Sequence, residues 1–181
     1  MSREDQAMEY IVGFTLALFF CAAAAWLSMD RERAFYPAVV MAVATYYLAF
    51  AVVDGRGEVM RSEVVIAAIF IVGAVAGFKR NPWIAVAALG GHGVMDGFHH
   101  HLVNNTGVPQ VWPGFCMTFD VTAAVLVALV MLARTRRERE RLAGLSRGDS
   151  GRNARAGIQP GAWQARHSRR CVRAAVASRG G

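Results

Sequence analysis

The chain has 181 residues, of which 55% are hydrophobic, and a formal net charge of +7. Its hydrophobic residues are gathered into five long blocks that contain almost no charge. This distribution excludes an ordinary soluble domain, because helices that are apolar all round have no polar face to present to water. The sequence instead indicates a membrane-embedded chain with a separate, strongly basic end.

The five blocks predict five membrane-spanning α-helices. A bilayer core requires a helix of about 20 apolar residues, with roughly 17–25 being typical. The predicted spans are residues 10–29, 36–53, 64–78, 83–103 and 115–133, of which the third is the shortest. The first block follows the acidic segment "MSREDQAME", so we expect a retained span rather than a secretory signal, whose leading segment would be basic. The predicted fold is an all-α polytopic bundle over residues 1–133.

The Lys and Arg residues divide unequally between the two sides that five spans define. Nine of them fall in the loops 30–35 and 79–82 and directly after residue 133, whereas three fall on the other side. Because cytoplasmic loops carry the excess of positive charge, we expect the N-terminus outside and the C-terminus in the cytoplasm. The predicted location is the plasma membrane.

The segment 134–181 differs from the rest of the chain in composition. It holds thirteen Arg and three acidic residues, and it lacks the apolar content needed for a core. We therefore predict a disordered cytoplasmic tail. Its first part, "RTRRERERLAGL", can extend the last helix and contact anionic lipid. Nucleic-acid binding is disfavoured, because Trp163 is the only aromatic residue in the tail.

The fourth block ends in a concentration of polar residues, "GHGVMDGFHHHLVNN". At helical spacing His92, Asp96 and His99 share one face, His100 flanks that face and His101 points away from it. Ionisable residues inside a span are costly, and they normally face the bundle interior or an aqueous cavity. The face defined by His92 therefore marks a candidate functional site.

The fifth block supplies further polar residues at a similar depth. Asp120 lies five residues into the predicted helix, and Cys116 lies one turn before it on the same face. Because the fourth and fifth helices are antiparallel and joined by a short loop, we expect Asp120 to meet Asp96 and His99.

Imidazole and carboxylate groups together suit Zn²⁺ or Fe²⁺. The candidate ligands are His92, Asp96, His99 and Asp120, with His100 and Cys116 as weaker candidates. Asp96 and Asp120 are also candidate general bases. Each has a structural alternative: the two Asp side chains can be carboxylic acids that link helices by hydrogen bonds, His100 and His101 can be hydrated side chains at a helix end, and Cys116 can be a packing residue.

The run "HGVMDGFHH…NNTGVPQVWPGFC…D", with "RERAFYP" upstream, resembles a family of small multi-pass bacterial membrane proteins of uncharacterised function. The resemblance covers residues 8–133 and not the Arg-rich tail. It implies a membrane fold, and it implies that His92, Asp96, His99 and Asp120 belong to one motif. It implies no activity. A weaker likeness to seven-span intramembrane hydrolases with three His and an Asp on zinc fails on span number and on the absence of a matching serine.

Three functions remain open from the sequence. The first is an intramembrane metal-dependent enzyme that acts on a lipid or another apolar substrate. The second is a transporter coupled to protons or metal ions, which with five short helices would need to form a homo-oligomer. The third is a non-catalytic membrane scaffold in which the polar cluster only links helices.

Overall fold

In a computed structural model the chain is described over residues 3–155, and these residues form five α-helices, a short 3-10 turn and no β-strand. The helices are α1 (Arg3–Trp26), α2 (Phe35–Asp54), α3 (Gly57–Lys79), α4 (Pro82–Leu102) and α5 (Trp112–Arg155). The predicted all-α architecture and the number of helices are confirmed. The chain divides into two compact units, Met1–Leu132 and Ala133–Gly181, and the first of them contains the helical bundle.

Four helices are long and apolar enough to cross a membrane. These candidate spans are Ala7–Trp26, Phe35–Asp54, Gly57–Lys79 and Trp112–Leu145. The third predicted span, 64–78, is therefore longer than expected, because α3 begins seven residues earlier and has 23 residues in all. With 23 residues, α3 falls within the length range of membrane-spanning helices.

Helix α4 is not among these four candidates, although it has 21 residues. Its mean hydropathy is lowered by the histidines and the aspartate of its second half. Most of these polar groups point inward, whereas Val94, Phe98 and Leu102 are exposed on the outer face. A helix with an apolar outer face and a polar inner face is compatible with lipid. That α4 also spans the membrane, as the fifth span of the bundle, stays a prediction.

Helix α5 continues past the predicted span end at residue 133 to Arg155. Opposite charges at i, i+4 spacing favour this continuation, as in the pairs Arg134/Glu138 and Arg136/Glu140. The helical extension expected for "RTRRERERLAGL" is thus present. The predicted disorder of the tail beyond residue 155 lies outside the described residues.

Small residues bring the helices close together at two GxxxG pairs, Gly73/Gly77 on α3 and Gly93/Gly97 on α4. A Cβ added at Gly77 would lie 2.7 Å from the Cβ of Ala85, which marks the close approach of α3 to α4. A Cβ added at Gly93 would lie 2.9 Å from the Cβ of Asp120, which marks the approach of α4 to α5. Both GxxxG pairs therefore serve as helix contacts, as such pairs do in membranes.

Buried polar residues and the apolar core occupy different parts of the bundle. The polar end, which we define by the α2–α3 turn and the loop 103–111, contains the buried polar residues of the described chain: Glu9, Glu63, His92, Asp96, His99, Asn105 and Asp120. Towards the opposite end all five helices contribute to one apolar cluster, which consists of Ala17, Val40, Val43, Ala74, Leu89, Ala123 and Ala124. Polar groups therefore reach the middle of the bundle from one end.

Two of the basic loops meet at the opposite end. The Arg33 guanidinium donates a hydrogen bond from Nη2 to the backbone oxygen of Lys79 at 2.9 Å. The same guanidinium lies 5.9 Å from the ring centroid of Phe78. The loops that the charge count assigns to one side of the membrane are thus neighbours.

We expect Gly93→Ala to weaken the contact between α4 and α5. The added methyl group would collide with Asp120 and with the backbone of Met117, and overpacking of this kind costs about 1–3 kcal/mol. The measurement is the thermal unfolding midpoint in detergent. Gly91→Ala is the matched control, because its Cβ would meet an ordinary contact at 3.9 Å; equal midpoints for the two variants would contradict the packing.

Candidate metal centre

His92, Asp96 and Asp120 form one buried group. Nδ1 of His92 donates a hydrogen bond to Oδ2 of Asp120 at 2.8 Å, and Oδ2 of Asp96 lies 3.3 Å from the same nitrogen. The side chains are at most 1% exposed. Nδ1 of His92 has one N–H, which it donates to Asp120. The Asp96 carboxylate therefore lies close to the imidazole without accepting a hydrogen bond from it.

Three carboxylate oxygens in this group have no hydrogen-bond partner among the described residues. They are both oxygens of Asp96 and Oδ1 of Asp120. Buried polar atoms are nearly always paired, and each one left unpaired costs free energy. One ligand atom from each of His92, Asp96 and Asp120 lies within 4.8 Å of the other two. This spacing and the unpaired oxygens fit a bound cation.

The local sequence explains how the group is assembled. His92 and Asp96 are four residues apart, so their side chains lie one helical turn from each other on the inner face of α4. Gly93 lies between them and lets the α5 backbone approach. Asp120 therefore reaches the imidazole from the neighbouring helix.

A second polar pair lies next to this group. Nε2 of His99 donates a hydrogen bond to Oε1 of Glu63 at 2.9 Å, and Nδ2 of Asn105 donates to the same oxygen at 2.9 Å. The Glu63 side chain is fully covered, and its Oε2 has no partner in the described part of the chain. His99 is therefore held by α3 and the loop.

Tyr47 lies between the two groups. Its ring stacks on His99 with centroids 4.0 Å apart, and its centroid lies 6.2 Å from that of His92. The hydroxyl is buried and interacts electrostatically with Asp96, but no described residue pairs with it at hydrogen-bond geometry. Phe70 covers the other side of the His92 ring in an edge contact at 4.8 Å.

The loop 103–111 is anchored by a charged cluster at the polar end. Asp54 accepts two hydrogen bonds at 2.8 Å from the Arg56 guanidinium, and it accepts two from Thr106 at 2.8 and 2.7 Å. Arg56 also donates to the backbone oxygen of Asn104. The hydrogen bonds to Asp54 raise the pKa of Arg56, so this anchor stays charged. It positions Asn105 to reach Glu63.

The structure places the polar residues singled out in the sequence in four different settings. His92, Asp96 and Asp120 are together, whereas His99 is paired with Glu63 instead. His100 and His101 are exposed at the helix end, with ring centroids 4.0 Å apart. Cys116 is buried and interacts electrostatically with Asp96 and Asp120, but it lies outside the three-residue group. Metal binding by any of them stays a prediction.

Sequence reasoning did not include Glu63, Asn105 or a site role for Tyr47. Glu63 falls one residue before the predicted third span, which was read as starting at residue 64. Helical spacing could have found it, since Glu63 continues the buried stripe that includes Ala67, Ala74 and Gly77. Tyr47 lies inside the second predicted span, where the sequence does not distinguish a packing aromatic residue from one that contacts a site. The loop residue Asn105 offered no periodic signal.

Comparison of the chain with protein-family models, with curated proteins and with solved structures finds no match. The membership suggested by the motif resemblance therefore stays an expectation.

We expect Glu63→Ala to destabilise the polar end. His99 and Asn105 would both lose their acceptor, and each unpaired buried donor costs about 1–3 kcal/mol. Glu63→Gln should be milder, because its amide oxygen can still accept. The thermal unfolding midpoint in detergent reports the effect, with Glu58→Ala as the exposed control on the same helix. A Glu63→Ala midpoint equal to that of the control would exclude this arrangement.

Proposed function

We propose that this membrane protein binds a divalent transition-metal ion between His92, Asp96 and Asp120, and that it hydrolyses a lipid-like substrate there. The observation that carries the proposal is the pair of fully buried carboxylates, one of which has no hydrogen-bond partner in the described residues. The proposal concerns the bundle interior and does not involve the basic tail.

Electrostatics favours a cation at this point. A single Asp at the centre of a membrane helix costs about 2.5–3.5 kcal/mol on insertion scales. Asp96 and Asp120 face the same imidazole, so two negative charges would repel each other without a compensating cation. A purely structural link between helices would be expected to hydrogen-bond its polar atoms, yet neither oxygen of Asp96 has a hydrogen-bond partner among the described residues, and Asp96 shares its ion-pair partner His92 with Asp120. The geometry thus supports a ligand site better than a scaffold.

The donor set indicates which metals fit. One imidazole nitrogen with two carboxylates and free coordination positions suits Zn²⁺ or Fe²⁺. Because only one histidine belongs to the group, the set is richer in oxygen than the sequence suggested. Mn²⁺, which accepts carboxylate ligands readily, therefore joins the list.

A bound metal of this kind supplies Lewis-acid activation of a water molecule near neutral pH. The chain's own residues supply the rest. A carboxylate oxygen of Asp96 or Asp120 would accept a proton from the water molecule. At the same time the water oxygen would add to the carbonyl or phosphoryl centre of the substrate. The same carboxylic acid returns the proton to the leaving oxygen when the scissile bond breaks. The Tyr47 hydroxyl interacts electrostatically with Asp96 and would help to orient that carboxylate.

The distribution of polar groups favours hydrolysis over transport. A line of polar side chains runs from the polar end to Asp96, formed by Asn105, Glu63, His99 and Tyr47. We propose that water reaches the site along this line. Beyond His92 the five helices pack through the apolar cluster, which offers no polar continuation to the opposite end. Transport of an ion remains the alternative, and the polar chain from the loop is the observation in its favour.

The charge distribution supports an orientation for this site. The basic loops meet at the end opposite to the polar end, and the positive-inside rule places them in the cytoplasm. In a bacterial inner membrane the polar end would then face outward, and water would enter from the periplasmic side.

We expect purified wild-type protein to carry about one Zn, Fe or Mn ion per chain. Asp96→Asn and Asp120→Asn should each lose most of it, and the double variant should lose little more, because groups that share one network are not additive. Elemental analysis and the unfolding midpoint with and without chelator measure this, with the exposed His101→Gln as the matched control. Metal-free wild type that is indifferent to chelator, or strictly additive losses, would overturn the proposal.

A further inference from the structure

Another buried carboxylate, that of Glu9, lies away from the His92 group in the first part of α1. Glu9 belongs to a buried stripe of α1 that continues through Gly13 and Ala17. It is 7% exposed, and its Oε2 has no hydrogen-bond partner in the part of the chain that the structure describes. A Cβ at Gly114 would lie 2.5 Å from Oε1 of Glu9, so the glycine leaves the space that the carboxylate occupies.

Glu9 lines a pocket of ≈ 600 Å³ at the polar end. Its walls are Met8, Glu9, Val12, Gln110, Val111, Trp112 and Phe115. The indole nitrogen of Trp112 is buried and has no partner among the described side chains. The lining therefore includes two residues that each carry a buried polar atom without a hydrogen-bond partner, Glu9 and Trp112, and apart from Gln110 its other residues are apolar.

An apolar groove adjoins this pocket and shares Trp112 and Phe115 with it. The groove has a volume of ≈ 370 Å³ and lies between α1, α2 and α5. Leu16, Phe20, Val39, Val43 and Phe119 are among its lining residues. These residues lie further from the polar end than Glu9 does, so the groove runs towards the middle of the bundle. It has the character of a hydrocarbon-chain site.

We propose that the pocket and the groove together bind one phospholipid with a primary-amine headgroup. The ammonium group would donate to Oε2 of Glu9, the phosphate would accept from Nε1 of Trp112, and an acyl chain would occupy the groove. A charge-assisted hydrogen bond of this kind is about twice as strong as a neutral one. Binding here uses none of His92, Asp96 or Asp120, so it does not depend on a metal.

The charge of Glu9 separates this headgroup from the other common ones. A glycerol headgroup leaves the phospholipid anionic, which would place a second negative charge near the buried carboxylate. A choline headgroup is cationic but has no N–H to donate. An ethanolamine phospholipid offers both the positive charge and the donor, and its phosphate still matches the indole N–H.

The test is a competition among ethanolamine, choline and glycerol phospholipids with identical acyl chains. Delipidated full-length protein is incubated with an equimolar mixture in detergent, and native mass spectrometry measures the lipid retained. Wild-type protein should keep the ethanolamine lipid about tenfold over the glycerol lipid, which corresponds to about 1.4 kcal/mol. Glu9→Gln should lose this preference, whereas Glu4→Gln, an exposed position on the same helix, should keep it.

Two further variants separate the parts of the proposal. Trp112→Phe keeps the ring and removes the N–H, so it should weaken retention of all three lipids while the preference for ethanolamine remains. Asp96→Asn should leave retention unchanged, which distinguishes this site from the metal proposal. Equal retention of the three lipids by wild type, an unchanged preference in Glu9→Gln, or a lipid-free dimer whose second copy covers the groove would each overturn the inference.

Discussion

Two buried carboxylates that face one imidazole are the constraint on which the rest of this structure depends. In the apolar interior of a helix bundle such charges are poorly solvated, so neighbouring groups must compensate them. His92 donates its hydrogen bond to Asp120, and the Asp96 oxygens, 3.3 Å away at the nearest, have no hydrogen-bond partner among the described residues. A bound cation would compensate the remaining negative charge of the two carboxylates.

The helices are arranged so that this group can form at all. Gly93 brings α5 against α4, and the short α2–α3 connection sets Tyr47 and Glu63 at the same level of the bundle. The anchored loop 103–111 closes that end with Asn105 turned inward. Small side chains in the apolar cluster then let all five helices pack beneath the polar groups. Small residues therefore allow both the close helix packing and the assembly of the site.

The sequence predicted the helices and the inner face of α4 well, because both depend on properties of single segments. Helical spacing alone placed His92 and Asp96 together, and matching depth placed Asp120 beside them. The partner of His99 could not be found in this way, since Glu63 was excluded by a span boundary that hydropathy alone had set. Loop conformation decided the position of Asn105, and no periodicity constrains a loop. Mean hydropathy also fails to identify α4 as a membrane span, because an average over the helix does not distinguish inward-facing from outward-facing side chains.

The most direct test of the central claim is X-ray absorption at the metal edge of protein purified in detergent without chelator. A cation between His92, Asp96 and Asp120 predicts nitrogen and oxygen ligands only, at about 2.0–2.2 Å for zinc. The nearby thiol of Cys116 should contribute no sulfur. A protein without a bound metal, or a spectrum dominated by sulfur ligands, would contradict the assignment of these three side chains as a metal centre.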